Sequence, residues 1–146
     1  MLEPLVLKRV MPCSKRQLFD AWAKPSVMAR WFFASQTPVK DSSVRNSFTV
    51  GGSYSLTMHL QTGDYTMSGE YTEINRYNRI AFTWSSHIIE NSHVVLDFRE
   101  LSPNRTEMTL TQTRFPSDEV RASHDQGWTG CLASLERFLA AEHGGA

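Results

Sequence analysis

Three groups of reactive side chains lie close enough in the chain to be tested for chemistry. His87, Glu90 and His93 are metal-ligating types. Their spacing is none of the compact ligand patterns, no further Cys or His stands beside them, and the segment reads as a solvated turn between strands. Cys131, His124 and Asp125 offer a thiol, a base and an acid on one helix. Cys131 is seven residues from His124, about two turns and some 10 Å along the axis, which is beyond a direct hydrogen bond. Cys131 therefore reads as a small apolar helix residue. Glu70 and Glu73 differ by an odd number and fall on opposite faces of a regular strand, against a paired-carboxylate acid/base site. No catalytic residue and no metal ligand is assigned, and no cofactor is expected.

What remains is the chemistry of a pocket. Trp31, Phe32, Tyr54, Phe82, Trp84, Phe98 and Trp128 are large rings, several carrying an N–H or O–H that seeks a partner. Each alone reads as core. As a set they read as the lining of an apolar cavity with a few directed polar groups. Met58 shares the strand face of Tyr54, and Gln112 shares the parity of Met108 and Leu110, so its amide points inward to a ligand or to a buried partner. The candidate ligand-binding residues are Trp31, Phe32, Tyr54, Met58, Phe82, Trp84, Phe98, Gln112 and Trp128. His59, Asp97 and Arg99 have the opposite parity, which places them on the outer face of the sheet, with His59 expected to be exposed.

The elements that position these residues follow from periodicity. Trp128, Leu132, Leu135 and Leu139 recur at helical steps, Ser117 is an N-cap, Asp118 and Glu119 suit the positive end of the dipole, and Gly144-Gly145 stops the helix. A helix over 117–143 runs about 35 to 40 Å and cannot hide its apolar stripe alone. Upstream, Leu5 to Met11 reads as a strand ended by Pro12. Ser14-Lys15-Arg16-Gln17 is a capping box opening a short helix with Leu18, Phe19 and Trp22; Pro25 breaks it, and Ser26 restarts a second one carrying Val27, Met28, Trp31 and Phe32. Ala34 to Ser43 reads as a loop. From Val44 the period becomes two: Gly51-Gly52, Gly63-Asp64, Asn75 to Asn78 and Ser102-Pro103-Asn104 punctuate strands that include Tyr65 to Ile74, His93 to Leu101 and Arg105 to Arg114. Short connections make neighbouring strands antiparallel. Gly127 in mid-helix is expected to allow close helix-to-sheet approach, and Gly130 is left open.

The totals agree with one domain spanning residues 1–146, large enough for a real core. Fifteen basic and fifteen acidic residues give no net charge, which argues against a general nucleic-acid binder. No run is apolar enough to span a bilayer. The two cysteines and the mixed, charged start of the chain suggest a cytoplasmic protein with reduced thiols.

The chain resembles the START-like (SRPBCC) helix-grip superfamily, within it the group named after the activator of the heat-shock-protein-90 ATPase. The resemblance rests on Phe19 and Trp22, Pro25 with Trp31-Phe32, Gly51-Gly52-Ser53-Tyr54, Gly69-Glu70-Tyr71-Thr72-Glu73-Ile74, Arg79-Ile80-Ala81-Phe82-Thr83-Trp84, Thr106-Glu107-Met108-Thr109-Leu110-Thr111, and Gly127-Trp128 followed by Leu132 and Leu135. It implies an α+β helix-grip fold: a curved antiparallel sheet of about seven strands wrapped around a long C-terminal helix, with two short helices between strands 1 and 2. It also implies a cavity for a small hydrophobic molecule such as a lipid, sterol or polyketide. The chain departs from the group at Gln112, where a histidine is common, and at Arg76-Tyr77, where prolines are common.

Three functions are weighed on this basis. The first is binding of a small hydrophobic molecule without catalysis. The second is a cyclase, dehydratase or hydrolase using the same cavity, with Gln112 and a tyrosine orienting substrate. The third is a module that docks on a chaperone or another protein. No ionisable pair points inward and the outer face reads as Ser, Thr, His and Gln, so binding ranks first. Stimulation of the chaperone ATPase is not carried over, because the chain lacks the additional domain of the eukaryotic co-chaperone.

Overall fold

Among the described residues, seven strands and three helices follow one another in the order that the change of period predicts. In the computed structural model, which describes residues 3–32 and 43–143, strand β1 (Leu5–Met11) is followed by helices α1 (Lys15–Ala23) and α2 (Pro25–Trp31). The strands β2 (Ser43–Asn46), β3 (Ser53–Leu60), β4 (Gly63–Asn75), β5 (Arg79–Ser86), β6 (Ile89–Ser102) and β7 (Arg105–Thr113) come next, and α3 (Asp118–His143) closes the chain. The stop at Gly144-Gly145 and the loop expected over Ala34 to Ser43 lie outside the described residues, apart from Ser43, which opens β2.

Local chemistry explains the helix boundaries. The Ser14 hydroxyl accepts from the Gln17 amide N–H at 3.1 Å, and the Gln17 side chain accepts from the Ser14 N–H at 2.9 Å, which completes the capping box. Pro25 opens α2 at a position where its missing N–H costs nothing. Ser117 caps α3 by accepting from the Val120 N–H at 3.2 Å.

The strands form one antiparallel sheet in the order β1-β7-β6-β5-β4-β3-β2. Six consecutive strands make a meander, and β1 returns to pair with β7, Leu5 opposite Gln112 and Met11 opposite Thr106. The backbone calls for glycine at several turns and crossings: Gly51 has φ +86°, for example, and a side chain on Gly69 would stand 2.0 Å from the Thr83 carbonyl oxygen of the neighbouring strand. The curved sheet clasps α3, whose Trp128, Leu132, Leu135 and Leu139 are all buried. Ties on several sides fix the helix: the Arg9 guanidinium donates to Glu136 at 2.6 Å, Arg30 pairs with Glu142 at 2.8 Å, and Arg121 donates to the Glu3 and Pro4 carbonyls.

The structure departs from the sequence-based expectations at four places. Strand β6 begins at Ile89 rather than His93, so Glu90 and His93 are strand residues and only His87 lies in the turn. Strand β2 ends at Asn46, short of the Gly51-Gly52 turn up to which the period-two pattern from Val44 runs, and Phe48 packs edge-on against Phe19 and Tyr71. His59 is buried, because Ser43 on β2 stands 3.0 Å from its Nε2 and Asp64, past the β3–β4 turn, 2.8 Å from its Nδ1. Gly127 does not mark close packing: no atom lies within 4 Å of where its Cβ would stand. Helix and sheet diverge there.

Candidate functional site

That divergence opens a cavity of about 330 Å³ between α3 and the strands β3 to β5, partly open to solvent. Exposure sorts its walls by depth. The buried end is formed by Phe32, Trp84, His124, Trp128 and Cys131, the flanks by the half-buried Met58, Leu60, Tyr65 and Met67, and the rim by the exposed His87, Ile88, Ser123 and Gly127 with the half-buried Ser86 beside His87. Among the described residues that line it, none is an acid, a lysine or an arginine.

Three rings make the floor. Trp84 and Trp128 have centroids 5.0 Å apart, Phe32 stacks on Trp84 at 6.3 Å, and Phe32 meets Trp128 edge-on at 5.8 Å. Hydrogen bonds lock the two indoles. The Trp84 N–H donates to His124 Nε2 at 3.2 Å, and His124 Nδ1 lies 2.8 Å from the Val120 carbonyl one turn earlier. The ring must therefore carry its proton on Nδ1, leaving Nε2 as the acceptor. The Trp128 N–H donates to Gln112 Oε1 at 2.7 Å, the Gln112 amide donates to Ser92 Oγ at 3.0 Å, and the Ser92 hydroxyl donates to the Thr113 carbonyl. The Cys131 thiol donates to the Phe32 carbonyl at 3.0 Å. Burial pushes that thiol far above the ordinary cysteine range and pushes Cys13 up to about 12, so neither carries thiolate at neutral pH.

Of the nine candidates from sequence, Phe32, Met58, Trp84 and Trp128 line this cavity. Gln112, wholly buried, stands one hydrogen bond behind Trp128. Tyr54 and Phe82 line a separate void of about 10 Å³ shared with Trp22, Phe32 and Trp84, room for one water molecule. Trp31 packs behind Phe32 with its N–H on the Ala21 carbonyl, and Phe98 packs on Phe19 toward α1. Sequence reasoning missed His124, Met67 and the rim. His124 had a signal: it stands one turn before Trp128 on the buried stripe.

Gln112 satisfies two buried groups at once, so Gln112→Leu strands the Trp128 N–H and removes a donor from Ser92. An unsatisfied buried donor costs about 1 to 3 kcal/mol, and chemical denaturation is expected to show a loss of that order. A midpoint equal to that of the unmodified protein would mean the network carries no stability.

His124 also predicts an acid limit. Burial lowers its pKa below the ordinary 6.5, partly opposed by the bond to Val120. Burial, and then the charge of Arg114, lower His93 in the same direction. Below pH 6.5 the unfolded chain takes up protons that the folded chain refuses. Stability is therefore complete above that pH and falls as pH drops toward the folded-state values, where a charged His124 could no longer accept from Trp84. Denaturation midpoints should fall between about pH 7.5 and 5.5, and His124→Gln should flatten that slope without abolishing it, since His93 remains. A slope unchanged in the variant would remove His124 from the account.

The comparisons with known proteins bear on the whole chain. The model of the family described as Activator of Hsp90 ATPase homolog 1-like protein matches residues 12–140. No curated protein matches the sequence. Among solved structures, the AHSA1 protein from Silicibacter pomeroyi is 23% identical, covering 97% of this chain and 100% of its own, with a TM-score of 0.78. Protein Ms6760 from Mycobacterium smegmatis is 17% identical over 96% of this chain and 92% of that one, with a TM-score of 0.78. An HSP90 activator from Plasmodium falciparum is 23% identical over 94% of this chain and 96% of that one, with a TM-score of 0.75. At these identities the likeness is one of fold.

Proposed function

Because the chain belongs to the family of activator of Hsp90 ATPase homolog 1-like proteins, whose helix-grip fold it has, we propose that it uses the space under α3 to bind a small hydrophobic molecule. The observation that carries this reading is the cavity of about 330 Å³, walled by Phe32, Met58, Met67, Trp84 and Trp128. Native interiors are packed nearly as densely as organic crystals, so an apolar hollow of this size forgoes contacts that an occupant would restore. Its volume falls at the lower end of small-molecule sites, which suits a compact ligand better than a whole sterol.

In this reading Phe32, Met58, Trp84 and Trp128 touch the ligand. Gln112 holds Trp128 through its indole, Trp31 backs Phe32, and Tyr54 and Phe82 lie beside Phe32 and Trp84 around the smaller void, while Phe98 stands apart against Phe19. The described residues include no helix long and apolar enough to cross a membrane. The free, buried thiols of Cys13 and Cys131 support a reducing, cytoplasmic setting.

The test is amide chemical-shift mapping with a panel of fatty acids, flavonoids and polyketide-like aromatics. A binder should move the resonances of Met67, Ile88, Gly127 and Trp128. It should also raise the unfolding free energy, by about 2.7 kcal/mol at a hundred times the dissociation constant. A panel that moves none of them would end the proposal.

A further inference from the structure

The polar atoms around the cavity divide into those already engaged and those left over. At the buried end, both ring nitrogens of His124, both indole N–H groups and the Cys131 thiol are all committed to protein partners. On the flank, the Tyr65 hydroxyl lies 3.0 Å from Thr62 Oγ1. Apart from that shared Tyr65–Thr62 bond, in which either hydroxyl can be the donor, the uncommitted groups are at the rim. Among the described residues, Ser123 and the His87 ring nitrogens make no hydrogen bond, His87 touching only the Tyr65 ring at 5.3 Å. Ser86 Oγ accepts from the Ile88 N–H at 3.3 Å, which leaves its O–H to donate. A buried floor offering only ring faces, edges and sulfur thus meets a rim with three unspent donor groups.

We infer, resting on the binding reading above, that the occupant is an amphiphile: a flat aromatic body seated on Trp84 and Trp128 and ending in one carboxylate held at the rim by Ser86, His87 and Ser123. The floor favours a flat body because indole and phenyl faces pair best with another ring, and the Met58 and Met67 sulfurs on the flank add contacts of the same kind. A deep polar group on the ligand would find no free partner and would lose its hydration for nothing. The head group must therefore lie at the rim. Hydroxyls and an imidazole N–H all donate, and a carboxylate has lone pairs for every one of them. Among the described lining residues an ammonium head would meet no carboxylate, and a doubly charged phosphate would meet no lysine or arginine.

The experiment compares 2-naphthoic acid, its methyl ester and decanoic acid by chemical-shift titration of the full chain and of the His87→Ala/Ser123→Ala variant. His87 and Ser123 are both exposed, so the variant should fold. Naphthoate should bind at least about tenfold tighter than its ester to the unmodified protein, moving Gly127, Trp128 and Ile88. In the variant that preference should collapse, because the acid loses more affinity than the ester, whose carbonyl oxygen uses fewer of these donors. If acid and ester bind equally well to the unmodified protein, the head-group assignment is wrong and the apolar binding site stands. If decanoate outbinds naphthoate, the flat body is wrong. If none of the three moves the cavity resonances, both the inference and the binding reading fall.

Discussion

Replacing Leu135 by alanine is expected to destabilise the protein by about 2 to 5 kcal/mol, the cost of deleting most of a large aliphatic side chain from a close-packed interior. Leu135 is fully buried at the middle of the stripe that α3 presses into the sheet. The neighbours cannot collapse into the gap without moving a 26-residue helix tied to the sheet at Arg9 and to α2 at Arg30. At roughly 3 to 4 °C per kcal/mol for a chain of this size, the melting temperature should fall by about 6 to 20 °C. Val6→Ala, half-exposed on β1, is the control and should stay within about 0.5 kcal/mol of the unmodified protein. A Leu135 variant that melts with the control would mean that α3 does not hold the sheet.

Gly127→Leu should move stability and binding in opposite directions. A glycine inside a helix costs about 0.8 to 1.0 kcal/mol relative to a good helix former, and leucine is one. Its side chain meets no atom within 4 Å at Cβ and enters the cavity that Gly127 borders. The variant should therefore unfold at a higher denaturant concentration than the unmodified protein. It should bind any ligand of the cavity at least about tenfold more weakly, because the space is taken. Gly127→Ala should give the same gain in stability with a smaller loss of affinity. Unchanged affinity in the leucine variant would place the ligand elsewhere. At Gly127 such a helix gives up stability where a side chain would stand at the cavity, the trade often found where function needs open space.

These two residues also show what a linear reading can reach. The stripe containing Leu135 was legible because helical periodicity states which residues share a face, and that face had to be buried. The strands were legible for the same reason at period two, and the capping box fixed the start of α1 to the residue. Gly127 was read as a close approach because a glycine in mid-helix leaves the same mark whether the neighbour is touching or absent; only the sheet's curvature separates the two. Alternation placed His59 on the outer face but could not say that Ser43 and Asp64 would cover it there. His124 was weighed only as a partner for Cys131 on its own helix, whereas its real partner, Trp84, lies 40 positions away. Hydrogen bonds between distant residues leave no period to detect.

The pairing of β1 with β7 bears on how the protein is born. Strand β1 leaves the ribosome ahead of its partners at residues 106 to 112, which follow about a hundred positions later. At ordinary translation speeds those partners arrive roughly 5 to 20 s after β1 has emerged. Throughout that interval the nascent chain can build local hairpins but cannot join its two ends. Closing so long a loop adds little to the equilibrium cost, since that grows only with the logarithm of its length, yet it slows the search. The newborn polypeptide therefore spends seconds with an unpaired strand showing, and that is when a holding chaperone has most to offer it.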